Sequence, residues 1–125
     1  MEKTKTTDKI SQLADTIVEA MQEKKAKDIV SLDLTKLDNR VVDKFIICHW
    51  DSDRQVDAIA FAIEDMVRKE LGEKAWHKEG YENKEWILLD YVNIVVHVFL
   101  KEKREFYAIE ELWGDAEVEK FEDYA

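Results

Sequence analysis

One stretch constrains the fold more than any other: Trp86 to Trp113, W-I-L-L-D-Y-V-N-I-V-V-H-V-F-L-K-E-K-R-E-F-Y-A-I-E-E-L-W. From Trp86 to Leu100 it is apolar apart from Asp90, Asn93 and His97, and rich in Val, Ile, Tyr and Phe. Those side chains suit a pleated, mostly buried surface. Beyond Lys101 the period changes: Phe106, Ile109, Leu112 and Trp113 recur at helical spacing with charges between them. The pattern predicts two strands, Trp86 to Tyr91 and Ile94 to Leu100, feeding one helix that ends at Gly114. A Val92-Asn93 turn between the strands is poor chemistry, because tight hairpin turns want positive φ and a β-branched residue resists it. Either the loop is wider or something compensates.

The rest of the 125-residue chain supplies partners for that hairpin within a single domain. Ile10, Leu13, Ala14, Ile17 and Met21 mark an amphipathic helix, with Asp8 as its candidate N-cap. Val30, Leu32 and Leu34 alternate with Ser31 and Asp33, the pattern of a strand with one wet face. Thr35 to Arg40 reads as a loop and Phe45 to Cys48 as a central strand. Ser52 followed by Gln55 makes a capping box. The stripe Val56, Ile59, Ala60, Ile63, Val67 and Leu71 then continues a helix to Gly72. Residues 75–84 read as a short strand or a surface loop, with Trp76 packing. The predicted class is α/β (α+β), a mixed β-sheet flanked by helices. Its bounds are a disordered or frayed N-terminus at 1–9, a domain at 10–114, and an acidic tail at 115–125 that is either mobile or docked through Phe121 and Tyr124.

Composition narrows the function. The net charge of −10 is repelled by phosphate, so no direct nucleic-acid binding is expected, and a basic protein partner is favoured. One cysteine, Cys48, excludes an internal disulfide. There is no run of membrane-spanning length and the first residues are polar, so the expected location is cytoplasmic with no membrane partner. Cys48 reads as a small buried hydrophobe, since His49 points to the opposite strand face. Three isolated glycines make no phosphate loop, and no zinc-type cluster appears. No cofactor or metal is expected.

The polar residues of the opening stretch remain. With Val92-Asn93 as the turn, Asp90 lies opposite Val95 and diagonal to His97. Such a pair would orient an imidazole for acid–base work or fix the register as a polar pair. Arg104, Tyr107 and Glu111 share a helical face, which as a surface ion pair is worth well under ~1 kcal/mol.

These residues resemble the Iojap-related ribosomal silencing factors. The family pattern is Trp, two apolar residues, Asp, then Val-His-Val, then Arg-x-x-Tyr-x-Leu-Glu-x-Leu-Trp. K-D-I-V-S-L-D-L at Lys27–Leu34, D-K-F-I-I-C at Asp43–Cys48 and S-D-R-Q-V at Ser52–Val56 agree with it. The match runs from about Ile10 to Trp113. The chain departs at Val92-Asn93, where the family has Gly-Asp, and at His49-Trp50, where it has small residues. The resemblance implies a nucleotidyltransferase-like αβ sandwich without catalysis. It implies binding to protein L-fourteen of the large ribosomal subunit, a block on joining of the small subunit when nutrients are short, and a part in large-subunit maturation. Trp86, Tyr107 and Trp113 are then the candidate anchors, Asp90, His97 and Glu110 their polar companions, and Arg104 a further partner-binding residue. Two alternatives compete. One is a Mg²⁺-dependent nucleotidyltransferase with Asp51, Asp53 and Asp90 as ligands. The other is a homodimeric scaffold.

Overall fold

A computed structural model describes residues 2–37 and 42–122, with side chains from Asp8 onward. Residues 38–40 of the expected loop and Tyr124 lie outside the described residues, as does Met1. In chain order the elements are α1 (Glu2–Glu23), β1 (Lys27–Asp33), β2 (Lys44–Trp50), α2 (Asp53–Leu71), β3 (His77–Glu79), β4 (Trp86–Asp90), β5 (Ile94–Leu100), α3 (Lys101–Tyr107), α4 (Ile109–Leu112) and β6 (Glu117–Lys120). The six strands form one mixed sheet in the order β3-β4-β5-β2-β1-β6. Only the central β2–β5 pair is parallel among the described strands. This is the α+β class the patterning predicts.

The parallel centre explains the near-continuous apolar character of β2 and β5. Strands flanked on both sides and covered on both faces have no wet face to mark. One face carries Ile46, Cys48, Ile87, Leu89, Val96 and Val98 against the apolar stripes of α1 and α2. The other carries Val30, Leu32, Ile47 and Phe99, with Ile109 of α4 above them. Helix α2 follows its caps: the Gln55 backbone N–H donates to Ser52 Oγ at 3.3 Å, and Gly72 closes the helix at φ 67°.

Several elements differ from expectation. Helix α1 begins at Glu2, so Asp8 lies inside it and is no N-cap. Ser31, assigned to a wet face, is buried, because β1 is flanked by β2 and β6 and its Ser31 face meets α1. The acidic stretch after Gly114 contributes β6, which completes the ladder on β1, while Phe121 packs on the main core. Trp76 stands out at 76% exposure.

Asp90 pairs with Val95 and the Tyr91 N–H donates to the Ile94 carbonyl at 2.8 Å, so Val92-Asn93 is the turn, with Val92 at φ 76°. Compensation comes from Asp90, whose Oδ1 accepts the Val92 backbone N–H at 2.8 Å, and from Asn93, whose amide donates to Asp43 Oδ2 at 3.1 Å. A β-branched side chain in the left-handed region costs more than the flexibility glycine brings to the unfolded chain. Val92→Gly is therefore expected to stabilise the protein by about 1 kcal/mol, a rise of about 3 °C in Tm by calorimetry; an unchanged or lower Tm would show the turn unstrained.

Candidate functional site

Alternation along the strands puts Trp86 and Leu88 of β4, Val95, His97 and Phe99 of β5, and Phe45 and Ile47 of β2 on one face. That is the face opposite α1 and α2. Among the described residues the short α3 and α4 cover it in part, with Leu34, Leu37 and Val42 of the β1–β2 connection packed at its Phe45 side, and an aromatic cluster remains near the surface. Trp86 stacks on Phe99 at 4.9 Å between centroids and meets Tyr107 at 4.8 Å. Phe45 stands edge-on to His97 at 4.7 Å and to Trp113 at 5.7 Å. Gly80 helps to set this edge: at φ 91° it lies so close to the Trp86 carbonyl that a Cβ would collide with it. Phe106, edge-on to Tyr107 at 5.0 Å, adds exposed apolar surface there, and Leu112 of α4 is exposed as well.

His97 is 4% exposed, and its Nδ1 accepts the Trp86 indole N–H at 3.0 Å. Burial lowers its pKa from the usual imidazole value to about 4, so the ring is neutral near pH 7. The expected pairing with Asp90 does not form. The register is as predicted, Asp90 opposite Val95 and Leu88 opposite His97. Yet the short Asp90 carboxylate bends into the turn to receive the Val92 N–H instead. Asp90, His97 and Trp113 do line one shallow apolar recess of about 240 Å³ with Phe45, Leu88 and Val95.

The helix expected from Lys101 to Trp113 is broken at Ala108, which takes φ 46°, ψ 47°. The break turns α4 so that Ile109 is buried and Glu110 reaches back to Arg104. In a straight helix, residues six apart are about 240° around the axis and do not meet. Arg104 therefore pairs with Glu110 and not with Glu111, and it is no surface pair: its side chain is 10% exposed. Arg104 Nε donates to Glu110 Oε1 at 2.7 Å, and its Nη1 donates to the Asp28 carbonyl at 2.7 Å and lies 2.9 Å from His49 Nδ1. Asp28 sits at a register shift of β1 with φ 48°, a bulge that aims its carbonyl at the guanidinium. The nearby His49 is held below the usual imidazole pKa, first by burial and then by the Arg104 charge. One side chain thus joins both short helices to two strands.

All seven residues singled out from the sequence lie on or beside this face: Trp86, His97, Tyr107 and Trp113 in the cluster, Arg104 and Glu110 in the tie, Asp90 at the turn. Sequence reasoning missed Phe45, whose signal was its alternation with Ile47, and assigned no role to His49. The carboxylates of the metal alternative are not brought together. Asp51 follows the Trp50 end of β2, which pairs with Leu100, while Asp90 sits level with Phe45 at the other end, about 20 Å away along the strands. Asp51 forms an ion pair with Lys27 at 3.5 Å. Among the described residues no three His, Cys, Asp or Glu side chains are grouped as metal ligands. No helix among them is long and apolar enough to cross a membrane.

Comparison with known proteins gives a consistent set of relatives. The profile of a family described as "ribosomal silencing factor during starvation" matches residues 7–125. The ribosomal silencing factor of Bacillus subtilis is 44% identical over 97 residues, covering 78% of this chain and 80% of that protein. The Iojap protein of maize chloroplasts is 38% identical over 72 residues, 58% of this chain and 31% of its own length. A mouse protein named for mitochondrial assembly of the ribosomal large subunit is 28% identical over 101 residues, 79% of this chain and 44% of its own. Among solved structures, a Chromobacterium violaceum protein superposes with a TM-score of 0.78 at 39% identity, covering 84% of this chain and 86% of that one. A Bacillus halodurans protein superposes with a TM-score of 0.73 at 37% identity, covering 82% and 94%.

Proposed function

The chain belongs to the ribosomal silencing factor family, and from that premise we propose that it is a non-enzymatic repressor of translation. It binds the large ribosomal subunit through protein L-fourteen and blocks docking of the small subunit by occupying the space. The observation that supports this reading is the aromatic face of the sheet, which α3 and α4 leave partly uncovered. Steric block needs no chemistry, only affinity and volume. An interface of this kind buries about 800 Å² per partner, with aromatic side chains as anchors at its centre. Trp86, Tyr107 and Trp113 supply the anchors, and the net charge of −10 favours a basic protein over ribosomal RNA. A part in large-subunit assembly, for which the mouse relative is named, would use the same face.

Co-sedimentation with isolated large subunits, followed by a subunit-joining assay at two salt concentrations, tests the reading. The protein is expected to sediment with the subunit, to prevent joining, and to bind more weakly at the higher salt. Tyr107→Ala is expected to weaken binding by about 2 kcal/mol, roughly thirtyfold, with little effect on folding. Failure to sediment at low salt would end the reading; full binding by Tyr107→Ala would move the site elsewhere. A homodimer closed over the same face would compete with the ribosome. Light scattering at several concentrations, with and without large subunits, detects it.

A further inference from the structure

The imidazole of His97 holds a hydrogen bond in reserve. Trp86 Nε1–H can only donate, so the His97 Nδ1 it meets at 3.0 Å must carry a lone pair. The ring is buried and neutral near pH 7, and a neutral imidazole has one N–H. That proton is therefore on Nε2. Nε2 is buried and has no hydrogen-bond partner among the described residues. A buried donor left without an acceptor costs about 1–3 kcal/mol, and folded proteins keep few of them. Here the sequence spends the indole of Trp86 on fixing the tautomer and then leaves the other nitrogen facing apolar neighbours.

The surroundings define what would satisfy it. The His97 ring lines the recess together with the apolar Leu34, Val42, Phe45, Leu88, Val95 and Trp113, and Asp90 is the one carboxylate in that lining. Phe45 is the ring set edge-on against His97, and it is only partly buried. A lysine or arginine of a partner carries donors only and cannot pair with Nε2–H. A carboxylate would enter next to Asp90 and be repelled. A neutral oxygen meets neither objection.

We propose that His97 Nε2–H is the donor reserved for the docked partner, which places a neutral acceptor, a backbone carbonyl oxygen, in the recess between Phe45 and Trp113. This rests on the function proposed above and refines it. The centre of the interface takes an uncharged oxygen, and the partner's positive side chains go to the acidic rim. Binding then satisfies a donor that the free protein leaves unpaired, which favours the complex at little cost in ordering.

The test uses the full chain, labelled with ¹⁵N-histidine, and purified protein L-fourteen at neutral pH and low salt. Imidazole ¹H–¹⁵N correlation spectra are expected to show the Nε2–H tautomer in the free protein. On binding, the Nε2 proton is expected to move downfield and exchange more slowly with solvent. Affinities are then compared for His97→Phe in the natural background and in a Trp86→Phe background. A donor to the partner loses about tenfold in both. If His97 served only to hold Trp86, the loss would vanish once Trp86 is gone, and the proposal would be overturned. An unchanged Nε2–H signal in a formed complex would overturn it too, while leaving the partner assignment intact. No complex at all would remove the functional reading, and this inference with it.

Discussion

Arg104→Ala is expected to lower the free energy of unfolding by about 3 kcal/mol in urea denaturation and to abolish tight binding to the large subunit. The figure follows from what is stranded. The Asp28 carbonyl, His49 Nδ1 and Glu110 Oε1 all lose a charged donor held at 2.7–2.9 Å. Breaking a buried charged network leaves groups that water cannot fully reach, at a cost of about 3–5 kcal/mol. Glu110 is 37% exposed, which puts the estimate at the lower end. The functional loss follows from geometry. Helices α3 and α4 bury only Ile109 between them, so the guanidinium is the main link holding Tyr107 over Trp86 and Trp113 over Phe45. Arg104→Lys keeps the charge but not the fork that reaches three acceptors in different directions, and it is expected to restore less than half of the loss. Wild-type stability in the alanine variant would show that Ile109 alone anchors the helices.

The second large effect is on pH dependence. His97 takes up a proton near pH 6.5 in an unfolded chain but only near pH 4 in the fold, because burial penalises the cation. Between those values the unfolded state binds more protons than the folded state. Stability is therefore complete above about pH 6.5, falls as pH drops toward 4, and changes no further from this group below that. The gap amounts to about 3 kcal/mol. His49 acts in the same direction, since burial and Arg104 both lower its pKa. Urea unfolding of wild type and His97→Phe from pH 7.5 to pH 4 isolates the term. The carboxylates contribute alike to both proteins, so the phenylalanine curve is expected to be flatter by about 3 kcal/mol, on top of a constant loss from the orphaned Trp86 N–H. Parallel curves would mean that His97 takes up its proton at the same pH in the folded and the unfolded chain. The same protonation would break the Trp86 contact, so binding is expected to weaken over the lower part of this window.

What was legible in the sequence was local. Ser52, Gln55 and Gly72 fix the ends of α2 through contacts within one turn, and the register of β4 on β5 follows from their short connection. Tertiary choices were not legible. Alanine is the best helix former, so nothing at Ala108 announces a break. The break exists because burying Ile109 and pairing Glu110 with Arg104 together outweigh one residue of helix. E-V-E-K does not look like a strand, and it becomes β6 because β1 offers an unpaired edge. Alternation put Phe45 on one strand face with Ile47, but its place beside His97 depends on a parallel β2–β5 pairing that spacing along the chain does not reveal. The residues of the face that sequence reading found all come from the one contiguous stretch between Trp86 and Trp113.

That parallel pairing bears on when in its life a copy of the protein can act. Phe45 lies before α2, and His97 lies after β4, so the two halves of the face are made at different times during synthesis. They meet only when the crossover through α2, β3 and β4 has closed, the slowest kind of contact to form. A nascent chain, a truncated product or a clipped copy carries the acidic charge and some of the aromatics but not the assembled centre. Under the function proposed, such fragments stay inert, and the ribosome that is still making the protein is not a target for the unfinished chain it holds.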